Sequence, residues 1–214
     1  MSVHTSLHVI GAGGHAKVVI STAEAMGLKI GGVFDDSHAA PRYVLGHPVV
    51  GKIDQIHDDP HTRAIVAIGD NLVRRKIVSR FKRVSWATLV HPSAWIDSTV
   101  RLGYGTVVLA GSVIQPDVRI GCHAIVNTCA SVDHDCVLSD FVHAAPGVRL
   151  AGNVRLDEGV FAGVASTFVP GVRVGKWSIL GAGATIVFDL PANVTAVGIP
   201  AKVIKERKAG WYMV

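Results

Sequence analysis

Charge is scarce in this chain: of 214 residues, only 17% are Asp, Glu, Lys or Arg, against 49% hydrophobic. Disorder is therefore excluded and a sizeable core is expected, in one large or two modest domains. Cysteine is scarcer still. Cys122, Cys129 and Cys136 form no CxxC pair, so neither a disulfide frame nor a zinc site is indicated. No apolar run reaches the ~18 residues of a membrane span. The start, MSVHTSLHVIG, lacks a charged segment followed by a long apolar one, so no secretory signal is read there. Aromatics are 6% and interleave with no basic run. A nucleic-acid partner is therefore not expected, although a net charge of +5 suits anionic small molecules. These absences predict a reduced, cytoplasmic protein without a membrane partner.

What the chain does have is a repeat. From Val90 it divides into sixes without a gap. The leading positions run Val90, Ile96, Leu102, Val108, Ile114, Ile120, Val126, Val132, Leu138, Ala144, Leu150, Leu156, Ala162, Phe168, Val174, Leu180 and Ile186, all apolar. Fifth positions are small or β-branched as far as Ala184, and glycine recurs at second or fourth positions. Six residues make one short strand and one corner. Three such sides make an 18-residue coil of a parallel β-helix, five to six coils in all, with residues 18 apart stacked about 4.8 Å from each other. The hexads resemble those of the left-handed β-helix acyltransferases.

The first 85 residues have a different period. Leu7 to Ile10 reads as a strand, GAGGHAKVVISTAEAMG as a glycine loop and helix, Ile30 to Phe34 as a second strand. Arg63 to Ile68 reads as a third, followed by a helix from Asn71 to Phe81. The pattern predicts a small parallel α/β domain of Rossmann type over residues 1–86, then the β-helix over 87–214 with a basic tail. GAGGHA nearly matches a dinucleotide-binding fingerprint, but the motif alone is weak. His15 and Lys17 add positive charge at a helix start that already favours phosphate, so Gly13, Gly14, His15 and Lys17 are read as holding a nucleotide-sugar diphosphate. Asp35 and Asp36 follow the second strand, where they suit a base or ribose. Asn71 and Arg74 follow the third and are expected to line the same crevice.

GAGGHAK, VFDD, IGDN and a hexapeptide helix containing VDHD together resemble the bacterial nucleotide-sugar N-acetyltransferases. The resemblance covers essentially the whole chain. It implies acetyl transfer from acetyl-CoA to the 4-amino group of a nucleotide-linked deoxyaminosugar, without a metal. GDP-perosamine is the favoured acceptor and a UDP-linked sugar the next. It also implies a homotrimer with active sites between subunits. An O-acetyltransferase, a non-catalytic β-helix and an NAD-dependent enzyme stay open as rival readings.

The stretch VDHDC, residues 132–136, breaks the packing repeat with three polar residues. An ammonium must lose a proton before it attacks a thioester, and histidine titrates near neutrality. By the resemblance, His134 is the general base and Asp135 the carboxylate that orients it. Gly152 lies 18 residues on, at the same corner, where its N–H suits an oxyanion. The resemblance further implies that His143, nine residues after His134, contacts acetyl-CoA. Val164 and Ala182, compact corner residues 18 apart, suit a groove for the pantetheine arm, and Lys202 and Lys205 suit its phosphates. Asn127 is read as a sugar ligand and His91 as structural.

Overall fold

A computed structural model of the chain describes residues 6–37 and 42–213. The first unit is a six-stranded sheet. Its strands are β1 (Leu7–Ile10), β2 (Ile30–Phe34), β3 (Tyr43–Val44), β4 (His47–Gly51), β5 (Arg63–Val66) and β6 (Ser85–Trp86), in the order β3-β4-β2-β1-β5-β6. All pairings are parallel except β3 with β4. Three of these strands were not read from sequence. The β3–β4 hairpin is very short, and β6 is two residues long and gains its strand character only from pairing with β5.

Helix α1 (Gly14–Ala25) buries Ala16, Val19, Ile20 and Ala23, the stripe of a helix packed on a sheet. Helix α2 (Asn71–Ser79) starts at Asp70, whose carboxylate accepts the Val73 N–H at 2.9 Å. It stops two residues short of the expected Phe81.

From Leu89 the chain winds as a left-handed parallel β-helix. Two-residue strands stack at an 18-residue interval on three faces, for example Val107 on Ile125 on His143 on Phe161 on Ile179. That face carries eight strands, the others six and five. Each strand pairs an outward residue with the inward leading residue of a hexad, and the leading residues fill one continuous core. Fifth positions also point in, and their small polar groups satisfy the corner carbonyls of the next coil. Thr106 donates to Gly121 O at 2.8 Å, Ser112 to Asn127 O at 2.9 Å and Cys136 to Ala151 O at 3.1 Å. Every fourth position from Gly105 to Gly183 has positive φ, whether it is glycine, Asp135 or Trp177. That left-handed residue turns the corner and throws the third residue outward. The basic tail is not free: Lys202–Glu206 pairs antiparallel with Val194–Val197.

The two units share a core. Leu89, Val107 and Leu109 of the β-helix cluster with β1 and α1. Arg74 completes the junction from a position that is 1% exposed. Its guanidinium donates to the carbonyls of Ile68 (2.9 Å), His123 (2.8 Å) and Phe141 (3.0 Å) and to Asn71 Oδ1 (2.8 Å). Asn71 in turn donates to Gly159 O and Val160 O. Burial pushes the Arg74 pKa down to about 9, so it stays charged at neutral pH. Replacing Arg74 with Met leaves these buried carbonyls without donors. Urea unfolding is expected to show a loss on the order of 3 kcal/mol, and Arg74→Lys, lacking the planar fork, to recover only part of it.

Candidate active site

The exposed corner at residues 133–135 holds the expected base and its carboxylate. Asp135 has φ of 60°, a conformation aspartate tolerates, and its Oδ2 lies 2.8 Å from His134 Nδ1. With Nδ1–H donating to the carboxylate, Nε2 keeps the free lone pair. Asp133 is also engaged: its Oδ1 accepts the His134 backbone N–H at 2.8 Å. The hydrogen bond to Asp135, then the charges of Asp133 and Asp135, raise the His134 pKa above its ordinary value.

Gly152 stacks on this corner as expected, and closely. A Cβ on it would stand 2.6 Å from Cε1 and Nε2 of His134, so the imidazole occupies the space where a side chain would be. The Gly152 N–H has no partner among the described residues. The missing Cβ thus seats the ring beside a free donor. Gly152→Ala keeps the backbone comfortable but displaces the ring. Steady-state kinetics are expected to show kcat reduced about 10–100-fold with an unchanged melting temperature.

The nucleotide candidates lie at the carboxyl ends of β1, β2 and β5, the switch point of the sheet. Gly13 and Gly14 are exposed, and a Cβ on either would meet nothing within 4 Å, so a ligand has room there. Gly13 caps α1 without a side-chain partner, and no acid stands in the first turn. Lys17 is exposed beside it. Arg42, missed in the sequence, donates to Ala12 O at 2.7 Å and brings another cation to this loop. Nothing in the sequence marked it, because it lies outside the predicted elements.

Asp35 and Asp36 part company. Asp35 accepts from the Ser37 hydroxyl, from the Ser37 N–H at 2.9 Å and from the Ala12 N–H at 2.7 Å, and these hydrogen bonds, the hydroxyl first, lower its pKa against the opposing effect of burial. It fastens the loop, and its oxygens are already engaged. Asp36 accepts from Ile53 N and Arg80 and lines a hollow of 530 Å³ with Lys52 and Phe81. Both carboxylates thus carry structural hydrogen bonds, and Asp36 stays exposed beside the loop. Arg74 is corrected: it is buried in the junction and spends its donors there, with Asn71 buried beside it. Asn71 does border a cavity of 460 Å³ with Gly69, Leu72, His143, Phe161, Trp177, Ile179 and Trp211.

His143, expected to contact acetyl-CoA, lies at the edge of that cavity. It is 6% exposed, and both ring nitrogens are used. Nδ1 donates to Gly69 O at 3.0 Å, so Nε2 accepts from Asn127 Nδ2 at 3.0 Å. Burial, then Arg74, pushes the His143 pKa down to about 3, which keeps that acceptor lone pair available. His15, 6.1 Å from it between ring centroids, is pushed down to about 4 by the same two causes, and its Nε2 is buried without a partner.

Asn127, Val164 and Ala182 lie one corner earlier in the coil than His134, and Lys202 is exposed in the strand beyond them. A single chain therefore brings together the base, its carboxylate and Gly152 on one corner, and Asn127 with the nucleotide loop elsewhere. His123, His134 and His143 occupy three different parts of the coil, and no metal-type cluster of three side chains occurs among the described residues. No helix among them is long and apolar enough to cross a membrane.

The orienting role of Asp135 has a pH signature. A general base works deprotonated, so with His134 in that role activity is expected to rise with pH through its pKa. Asp135→Asn removes the main cause that raises it. In a kcat/KM profile the rising limb is expected to move to lower pH, with a lower plateau.

Residues 6–81 match the PglD N-terminal domain family. The chain is similar to perosamine N-acetyltransferase from Caulobacter crescentus, solved as a histidine-to-asparagine variant in complex with CoA and GDP-perosamine. Identity is 41% over 94% of this chain and 97% of that one, with a TM-score of 0.88. It is 27% identical to the GDP-perosamine N-acetyltransferase of Escherichia coli O157:H7 over 149 residues, 66% of this chain and 67% of that protein. It is 34% identical over 120 residues to uncharacterized protein L142 of Acanthamoeba polyphaga mimivirus, of which it spans 24%. The sheet and the β-helix thus have full-length counterparts, and the chain belongs to the family of nucleotide-sugar N-acetyltransferases in which a PglD-type domain precedes a left-handed β-helix.

Proposed function

We propose that the chain transfers the acetyl group of acetyl-CoA to the 4-amino group of a nucleotide-linked deoxyaminosugar, with GDP-perosamine as the favoured acceptor. The observation that carries this reading is the His134–Asp135 pair at 2.8 Å, seated on Gly152 at an exposed β-helix corner. The full-length likeness to an enzyme solved with CoA and GDP-perosamine supports the choice of substrates. The neutral amine attacks the thioester carbonyl carbon. His134 Nε2 takes the proton that the new C–N bond makes acidic, and Asp135 holds the resulting imidazolium. The Gly152 N–H faces the oxyanion of the tetrahedral intermediate. Collapse breaks the C–S bond, and the CoA thiolate takes the proton back from His134.

The separation of the two corners supports a homotrimer with each site completed by a neighbour. Flat exposed residues such as Val164 and Val169 suit side-by-side helices. Residues 1–86 hold the nucleotide sugar at the α1 N-terminus, through Gly13, Gly14, Lys17 and Arg42, and residues 87–214 perform transfer. Both substrates are made in the cytoplasm, where we place the enzyme.

Thiol release from acetyl-CoA tests the reading, with GDP- and UDP-linked 4-amino-6-deoxysugars and hydroxyl acceptors as alternatives. Turnover is expected with a 4-amino sugar, and a trimer by light scattering. Release only with hydroxyl acceptors overturns N-acetylation, and a fully active monomer overturns the shared site.

A further inference from the structure

Along the corner that carries His134, the inward fifth positions of the hexads stack as Val100, Val118, Cys136, Val154 and Val172. Valine fills this place in the neighbouring coils, so packing alone does not call for a thiol. Cysteine adds the one thing valine lacks there, a polar hydrogen. Cys136 is fully buried, and its Sγ donates to the carbonyl of Ala151 at 3.1 Å. Burial pushes the thiol up to about 11, so it stays protonated, and a donor, wherever a histidine base works. The bond has hydroxyl counterparts elsewhere in the coil: Thr106 to Gly121 O and Ser112 to Asn127 O span the same 15 residues.

The peptide gripped by Cys136 is the one that ends at Gly152. In a planar trans peptide the carbonyl and the following N–H point in opposite directions. Drawing the Ala151 carbonyl toward the core therefore turns the Gly152 N–H outward, to the side where the imidazole lies, since a Cβ on Gly152 would stand 2.6 Å from His134 Nε2. The N–H itself has no partner among the described residues that would fix its direction. The strand ladder is also loosest at this coil. Ala151 N–H reaches Phe168 O at 3.3 Å, whereas Asp97, Gln115, Asp133 and Val169, stacked in the same column, make that bond at 2.9–3.0 Å.

We propose that Cys136 is a positioning residue for acetyl transfer, its thiol fixing the 151–152 peptide so that the Gly152 N–H is aimed at the oxyanion. The proposal rests on the reading that Gly152 faces the oxyanion of the thioester carbonyl. Two adjacent residues then serve the two halves of the chemistry: Asp135 orients the base beside it, and Cys136 orients the oxyanion donor one coil on. The buried thiol touches no substrate and forms no covalent bond.

The test compares Cys136→Val and Cys136→Ser with the unaltered enzyme. Cys136→Val repeats the residue of the neighbouring coils and removes the donor, so an unchanged melting temperature is expected. Its kcat is expected to fall about tenfold, with KM for both substrates within about twofold, because the donor is present but no longer aimed. The rising limb of kcat/KM against pH is expected to stay in place, since His134 and Asp135 are untouched. Cys136→Ser keeps a donor where hydroxyls elsewhere in the coil reach their carbonyls, and is expected to recover kcat to within about threefold. Infrared spectra of bound acetyl-CoA, labelled at the thioester carbon, read the N–H directly. The carbonyl stretch is expected below its value in free acetyl-CoA for the unaltered enzyme and Cys136→Ser, and nearer that value for Cys136→Val. An unchanged kcat in Cys136→Val, an equal loss in Cys136→Ser, or a shifted pH limb overturns the positioning role. An unshifted carbonyl stretch in the unaltered enzyme overturns instead the reading of Gly152, and the role of Cys136 with it.

Discussion

The relation between the two halves depends on one buried cation. Among the described residues Arg74 has no carboxylate in hydrogen-bond contact, yet it is almost fully enclosed. It is tolerable there because its fork meets carbonyls that need donors: the β5–α2 loop supplies one, and the β-helix corners at His123 and Phe141 supply two. Those corner carbonyls lie at left-handed residues, where the strand pairing that would otherwise satisfy them is interrupted. The arginine therefore serves both units at once, and Asn71 repeats the device one coil further along. Since Gly69 lies in the same loop and accepts from His143, the junction also sets where the nucleotide crevice sits relative to the helix face.

The β-helix supplies a different constraint, a corner that repeats identically at every coil. Left-handed fourth positions force the third residue outward, and stacking fixes its height. Most corners use that position for solvent. The one at residue 134 uses it to mount an imidazole on a surface that cannot relax, with its carboxylate supplied by the next residue and its seat by the residue 18 further on. No flexible loop is needed to assemble this part of the site, which is the kind of preorganisation that transition-state stabilisation requires.

The β-helix was legible in the sequence because it is strictly periodic, whereas the role proposed for VDHDC came from the resemblance its motif carries. A hexad constrains residues 6 and 18 apart, and His134, Asp135 and Gly152 fall within that arithmetic. What was misread depends on tertiary partners. Asp35, Asn71 and Arg74 stand at strand ends, where ligand-binding and structural residues look the same in sequence. Only their hydrogen bonds to Ala12, Gly159 and His123 separate the two roles. The resemblance gave His143 a cofactor role, and only the structure shows that its position at the start of a strand turns it toward the α/β unit. Trp177 and Trp211 belong to one wall but lie 34 residues apart, a spacing with no place in the repeat.

The histidines divide by charge environment in a way that couples stability to activity. His15, His123 and His143 are held neutral by burial beside Arg74, at about 4, 4 and 3. His134, exposed between two aspartates, is shifted the other way. For the buried three, the folded pKa lies below the ordinary value of about 6.5, so the unfolded chain binds more protons in between. Their contribution is fully present above about pH 6.5 and is lost as pH falls toward 4 and 3, by up to ~1.4 kcal/mol per pH unit for each imidazole. The base at His134, with its pKa raised, is deprotonated only above that same range. Acidification therefore silences the base before it has loosened the junction by much. The enzyme's working range thus coincides with the range in which Arg74 holds its two halves together, and the ordering follows from His134 standing in solvent beside two aspartates while His15, His123 and His143 lie in the interior beside a cation.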